Sequence, residues 1–204
     1  KYSPQIIERI APSPTGSLHL GHVYSIITTC RNAKRNKGLI KLRIEDIDTT
    51  RCKITHEKEI ISNLSWLGIT WHGQIMRQRN RFRYYSAAID QLFKEGLIYP
   101  CSCTRTDIKN AVSAPHLDEH ETLIYPGTCR MTRTSKPVQS LRLNIAKAIK
   151  LCRKDKISFF ETGISNNYSL EKQTVPVADI ENKFGDFIIA RKDIRTSYNL
   201  SVVL

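Results

Sequence analysis

Apolar residues recur along this chain in two rhythms, short continuous runs and a spacing of three to four, and their alternation predicts an α/β fold. Gln5 to Ile10 reads as a short strand. Val23, Ile26 and Ile27 open a helical pattern that continues through residue 36 and closes at Lys37-Gly38. Leu39 to Ile44 is a buried strand that delivers Glu45-Asp-Ile-Asp48 to its C-terminal end, the edge where open α/β sheets bind ligands. Thr55 to Leu67 carries apolar positions at 60, 61, 64 and 67 and stops at Gly68; Arg79 to Lys94 turns Tyr85, Ala88, Ile89, Leu92 and Phe93 inward and stops at Gly96. Trp66 and Trp71 read as core. Beyond these, Tyr99 to Thr104 is turn-rich, Arg105 to Val112 helical, Ser113 to Leu123 a loop, and Ala146 to Lys154 basic and helical. Ser140 to Asn144, Ile157 to Phe160, Gly185 to Asp193 and Thr196 to Val203 read as strands, whereas Leu170 to Val177 has weak patterning. There is no internal repeat and no low-complexity segment.

The chemistry concentrates between the first strand and the first helix, in Arg9-Ile-Ala-Pro-Ser-Pro-Thr-Gly-Ser-Leu-His-Leu-Gly-His22. The first N–H groups of a helix lack internal partners and its dipole favours negative charge there, so phosphates suit the position. His19 and His22 project from one face; Gly21 between them removes a side chain where a flat ring or a phosphate would press on the backbone. The prolines stiffen the approach, and Ser17 is the expected N-cap. No Gly-x-x-x-x-Gly-Lys-Ser/Thr occurs, so this is not a P-loop. Two isolated histidines would be read as an ordinary surface or core pair; here the whole string decides.

That string resembles the HIGH signature of class I aminoacyl-tRNA synthetases in the form of the glutamate branch. The resemblance implies a Rossmann-type catalytic domain in which His19, His22 and the helix start stabilise the charge growing on the ATP α-phosphate as a carboxylate attacks it. It implies ATP contacts at Pro12, His19, Gly21 and His22, and a glutamate pocket of Arg9, Ile10, Ala11, Pro12, Ser13, Glu45 and Tyr198. Three carboxylates in four residues usually make a solvated turn. Arg43-Ile-Glu-Asp-Ile-Asp-x-x-Arg51, however, is also similar to the glutamate branch, where the residue matching Glu45 receives the α-ammonium and that matching Arg9 a glutamate carboxylate.

Charge adds a polyanion to the picture. The 204 residues hold 32 Lys+Arg against 19 Asp+Glu, a net charge of +13 that fits nucleic acid or simply a well-solvated surface. A chain of this length buries one good core, or one with a small appendage. No apolar run approaches ~20 residues and no signal-peptide pattern precedes Ile10, so no membrane is expected and the location expected is cytoplasmic.

Of six cysteines, Cys30, Cys52 and Cys152 read as ordinary thiols. Cys101 and Cys103 reach one metal from a tight turn and Cys129 returns from a distance, as in a structural zinc site. Coordination chemistry alone places the fourth ligand at His116 or His120, and the opposing reading is three unbound cysteines. The resemblance points instead to Tyr125, because Cys-x-Cys followed by Tyr-x-x-x-Cys is the pattern of the short glutamyl-queuosine branch, with the phenol as a ligand.

The expectation is therefore an ATP-dependent ligase with Mg-ATP as substrate and structural zinc, acting as a monomer. It activates L-glutamate without tRNA and esterifies it to queuosine at the wobble position, in the anticodon stem-loop of tRNA(Asp). The alternatives are the catalytic portion of a full-length glutamyl-tRNA synthetase and a non-catalytic RNA-binding relative. Residues 1–98 are expected to form the first half of the catalytic domain, 99–136 a zinc-binding insertion, and 137–204 its continuation. The abrupt apolar end at Ser201-Val-Val-Leu204 predicts an incomplete chain. The resemblance puts the lysine loop of the KMSKS type and a further pocket arginine beyond Leu204.

Overall fold

The computed structural model describes residues 5–112, 124–131, 136–161 and 171–204. They form two compact units, one of the residues up to Tyr85 together with Ser201–Leu204, the other of Ser86–Leu200.

The first unit is built on a parallel sheet of β1 (Ile7–Ile10), β2 (Leu39–Ile44) and β3 (Met76–Arg77), with β2 central. Ile10 stands opposite Leu42 and Ile44 opposite Arg77. The last three residues of β2 are buried in succession, as expected of a parallel strand covered on both faces. Helices α1 (Leu20–Arg35) and α2 (Ile54–Trp66) contribute Ile26, Ile60 and Leu64 to a core with Ile10, Leu42 and Ile44. Trp71 packs against that core, but Trp66 is 85% exposed, against expectation. It lies about 200° around the helix from Leu64, off the buried stripe.

A single 3₁₀ turn, Gln78–Arg81, leads into α3 (Phe82–Lys94). Tyr85 is fully buried as expected, whereas Phe93 is 57% exposed: it sits at the edge of the apolar stripe, about 80° around from Tyr85, in the last turn of the helix. The segment Ser201–Leu204 is held by three side chains of this unit: Gln78 Nε2 donates to Ser201 O (3.0 Å), Arg43 Nη1 to Val202 O (3.5 Å) and Arg81 Nη2 to Leu204 O (2.9 Å).

In the second unit β4 (Ile98–Cys101), β5 (Ser140–Leu143) and β8 (Ile188–Arg191) form an antiparallel sheet in the order β4-β5-β8. The stretch expected to be turn-rich thus begins as a strand. Pro100 fits because β4 is an edge, where no ladder donor is required on the outer side. Helix α4 spans Arg105–Val112 as the sequence predicts, followed by α5 (Thr128–Met131) and α6 (Ile145–Cys152). β6 (Lys156–Glu161) and β7 (Glu171–Pro176) make a separate hairpin ladder, and α7 (Val177–Phe184) precedes β8. The strand expected over 196–203 is instead the one-turn helix α8 (Tyr198–Ser201). Arg195 at φ 63° ends the extended course after β8, and Ser197 Oγ accepts the Leu200 N–H at 3.4 Å. A cap and a turn override the apolar run.

Among the described residues no helix is long and apolar enough to cross a membrane. The loop that holds His116 and His120 lies outside the described residues.

Candidate active site and candidate metal centre

The strand-to-helix turn is pinned from below by the exit of β2. The Glu45 N–H donates to Pro12 O (3.0 Å) and the Lys53 N–H to Pro14 O (3.0 Å), and both prolines are buried. Because proline carbonyls accept but their nitrogens cannot donate, the turn meets the neighbouring backbone in one sense only.

Helix α1 starts later than expected, and its N-cap is His19 rather than Ser17. Nδ1 of His19 accepts the Gly21 N–H at 3.1 Å, and Nδ1 of His22 reaches back to accept the His19 N–H at 3.1 Å. This is a capping box made of imidazoles. With Nδ1 accepting in both rings, each neutral imidazole carries its proton on Nε2. The ring centroids are 3.8 Å apart. A Cβ on Gly21 would meet His19 Cε1 at 3.0 Å, so glycine is needed for the His19 ring itself. Partial burial, then the charge of His19, lowers the His22 pKa, which favours the neutral form.

A recess opens between β1, the turn and α1, lined by Arg9, Ile10, Ala11, Pro12, His22, Ser25, Ile26 and Thr29. It gathers five of the expected residues and adds Ser25 and Thr29, which sequence reading passed over. Their signal was available, since 22, 25, 26 and 29 share one helical face. Ser13, His19, Gly21 and Glu45 do not line it. Glu45 is nonetheless tied to Pro12 through its backbone, while its carboxylate pairs with the buried Arg43 guanidinium.

The other two carboxylates of the run are committed to the backbone. Asp46, 2% exposed, accepts the Arg79 N–H (2.9 Å) and faces Arg79 Nε at 3.1 Å; burial outweighs these donors and raises its pKa. Asp48 accepts from Thr50 Oγ1, from the N–H groups of Thr50 and Arg51, and from Arg51 Nε, and these bonds hold its pKa at about 2 against the opposing effect of burial. Tyr198 belongs to the second unit, where it opens α8 and is exposed.

The second constellation is compact. The thiol sulfurs of Cys101, Cys103 and Cys129 lie within 4.8 Å of one another. Tyr125 Oη is 3.4 Å from Cys101 Sγ and 3.6 Å from Cys103 Sγ, and accepts the Cys129 N–H at 2.8 Å. Three convergent soft donors in a buried pocket suit a thiophilic metal ion, and the phenol oxygen stands beside them as a fourth donor. Gly185, at φ 57°, lets the chain come close here: a Cβ on it would lie 3.0 Å from Tyr125 O.

Arg142, 6% exposed, is the residue the sequence did not single out. Its guanidinium lies 3.8 Å from the Tyr125 ring centroid; Nε donates to Cys101 Sγ (3.3 Å) and Nη1 to Asp186 O (2.7 Å). Asp186, fully buried, accepts from Tyr99 Oη, from Arg130 Nε and Nη2 (both 2.8 Å), and from the Ile145 N–H (2.9 Å). Arg130 directly follows Cys129, so this network ties the thiol cluster to the sheet.

The fold and this site define a class I aminoacyl-tRNA synthetase catalytic domain. Residues 5–204 match the family model for the catalytic domain of class I tRNA synthetases (E and Q), and the chain belongs to that family. It is 38% identical over 204 residues to a protein of Rhodobacter capsulatus named glutamyl-Q tRNA(Asp) synthetase, covering 98% of this chain and 72% of that one. Proteins of the same name from Geobacter sulfurreducens and Burkholderia cenocepacia are 34% and 33% identical, and this chain spans 59% and 61% of their lengths. The glutamate tRNA ligase of Elizabethkingia meningosepticum, solved in complex with its amino acid, shares the fold at a TM-score of 0.66 and 23% identity, over 98% of this chain and 41% of that one. The glutamate-tRNA synthetase of Elizabethkingia anophelis does so at 0.68 and 22%, with the same coverage.

Proposed function

We propose that this chain belongs to an ATP-dependent ligase that activates L-glutamate without tRNA and transfers it to queuosine at the wobble position of tRNA(Asp). The observation that carries the reading is the recess at the strand-to-helix turn, with Arg9 and His22 in its lining and Glu45 bonded to its floor at Pro12. The names of the relatives support the choice of queuosine as acceptor.

In the first step a carboxylate oxygen of glutamate attacks the α-phosphorus of Mg-bound ATP. A mixed anhydride forms, the bond to the β-phosphoryl oxygen breaks, and pyrophosphate leaves. The Nε2–H groups of His19 and His22 and the start of α1 meet the charge that grows on the α-phosphate, and Gly21 keeps the backbone accessible there. Removal of one such donor typically costs ~10²–10³ in rate. Arg9 pairs with a carboxylate of glutamate, most simply the one that does not react, so glutamine would leave its guanidinium without an anion. Glu45 accepts the α-ammonium, while Ile10, Ala11, Pro12 and Ser13 complete the pocket within the first unit. In the second step a hydroxyl of the queuosine cyclopentenediol attacks the anhydride carbonyl, the ester forms, and AMP leaves. Positioning does most of the work.

Cys101, Cys103, Cys129 and Tyr125 would hold zinc. The ion would supply folding free energy rather than reaction chemistry, since all four donors that would hold it are protein groups.

The family model, which describes the catalytic domain of class I tRNA synthetases (E and Q), fits a second reading as well, the catalytic portion of a full-length glutamyl-tRNA synthetase. Glutamate-driven exchange of pyrophosphate into ATP, with and without tRNA, separates the two. Exchange without tRNA is the expected result; exchange only with tRNA supports the second reading. No exchange with RNA binding retained identifies a non-catalytic relative.

A further inference from the structure

The second unit holds a cavity of about 640 Å³ that the activation chemistry does not use. It lies between the start of α4, the outer end of β5 and the exit of β8. Arg105, Arg142, Arg191 and Lys192 line it, against a single carboxylate, Asp193. That carboxylate is already bound by Arg191, which donates through Nε (3.0 Å) and Nη2. The ladder explains the convergence. Ser140 pairs with Arg191 across β5 and β8, Arg142 lies two residues on from Ser140 and so on the same face, and the Lys192 N–H is held by Gln139 O at 3.0 Å.

Two exposed cations, Arg105 and Lys192, therefore face the space with no acidic partner among the described residues. The Arg105 and Lys192 side chains have no protein partner among the described residues. Arg142 is buried, yet its contacts are a thiol, a carbonyl and an aromatic ring. Guanidinium forks match phosphate oxygens, and the apolar side chains of Ile108 and Ile188 in the same wall offer contact to a sugar or base.

We propose that this cavity is a binding site for an RNA phosphodiester and its attached nucleoside, with Arg105 and Lys192 as its outer phosphate contacts and Arg142 as its floor. The choice of RNA over a free anion rests on the reading of the substrate given above, on the excess of 13 positive charges, and on a volume well beyond one phosphate.

The test measures binding of the tRNA(Asp) anticodon stem-loop to the whole chain by fluorescence anisotropy at several salt concentrations. Arg105→Glu/Lys192→Glu is expected to weaken binding at least about tenfold and to lower the slope of log affinity against log salt by about 2, one for each phosphate no longer neutralised. Arg105→Lys/Lys192→Arg should keep both. Thermal melts accompany each sample; if the charge-reversed chain melts early, Arg105→Gln/Lys192→Gln is read instead and should show the same drop in slope. Equal affinity and slope in the folded charge-changed chain would overturn the proposal, as would failure of the unmodified chain to bind, or displacement by inorganic phosphate alone at equal affinity. Pyrophosphate exchange on the unmodified chain tests activation separately. Cation-dependent RNA binding without exchange keeps the cavity and loses the activation reading, while exchange with RNA binding indifferent to these residues does the reverse.

Discussion

His22 accepts the backbone N–H of His19 through Nδ1 at 3.1 Å, so one ring both caps the helix and presents Nε2–H outward. The two roles can be separated. Asparagine at 22 can keep the backbone acceptor but lacks the distal donor. His22→Asn should melt within about 1 kcal/mol of the parent, the usual scale of a cap, while exchange falls ~10²–10³-fold in kcat. Parallel melts and exchange assays check this, and His22→Ala should lose both.

Arg9 lines the recess with an exposed side chain that makes no ion pair among the described residues. Arg9→Ala should raise the KM for glutamate far more than that for ATP. Equal loss for both substrates would sink its assignment to the amino acid.

The thiol cluster makes a prediction about Arg142. Metal analysis of protein purified without added zinc should find about one ion per chain. Three thiolates around one divalent ion leave a net negative charge, which the Arg142 guanidinium faces through Cys101 Sγ and the Tyr125 ring. Arg142→Met should lower zinc affinity ~10–100-fold in competition with a chelator, the range found for groups that support metal ligands.

Asp186 collects Tyr99, Arg130 and the Ile145 N–H in a fully buried position. Asp186→Asn leaves the Arg130 guanidinium without its buried anion and with only the partly exposed Glu181, at 3.4 Å, as a carboxylate partner. Breaking a buried pair costs ~3–5 kcal/mol, so the midpoint of denaturant unfolding should drop accordingly.

Asp48 gives the acid limb. Its pKa is lowered from 3.8 to about 2 in the folded chain, so the folded state holds this proton more weakly than the unfolded one. The stabilisation is complete above the unfolded value and is lost as pH falls towards 2. Asp48→Asn should flatten that part of the stability curve, measured by urea titration at stepped pH, and leave the region above pH ~5 parallel to the parent.

The choice of Tyr125 beside Cys101, Cys103 and Cys129 comes from the family resemblance, since coordination chemistry alone points to His116 or His120. Local signals in the amino-acid order were enough for the strand, turn and helix around residues 9–22, the strand that ends at Glu45, and helix 105–112. Each depends on periodicity or spacing within a few residues, which the order of side chains records directly. Tertiary structure alone decided the rest. That the Pro12 and Pro14 carbonyls are held by the Glu45 and Lys53 N–H groups depends on the exit of β2 running beside the turn. That Pro100 sits in a strand depends on which edge its sheet leaves open, and that Trp66 faces outward depends on where the core closes over α2. Arg142 and Asp186 are 44 residues apart in sequence, yet Arg142 Nη1 donates to the Asp186 carbonyl. Contacts of that kind arise from strand pairing and burial between distant segments, which no local pattern encodes.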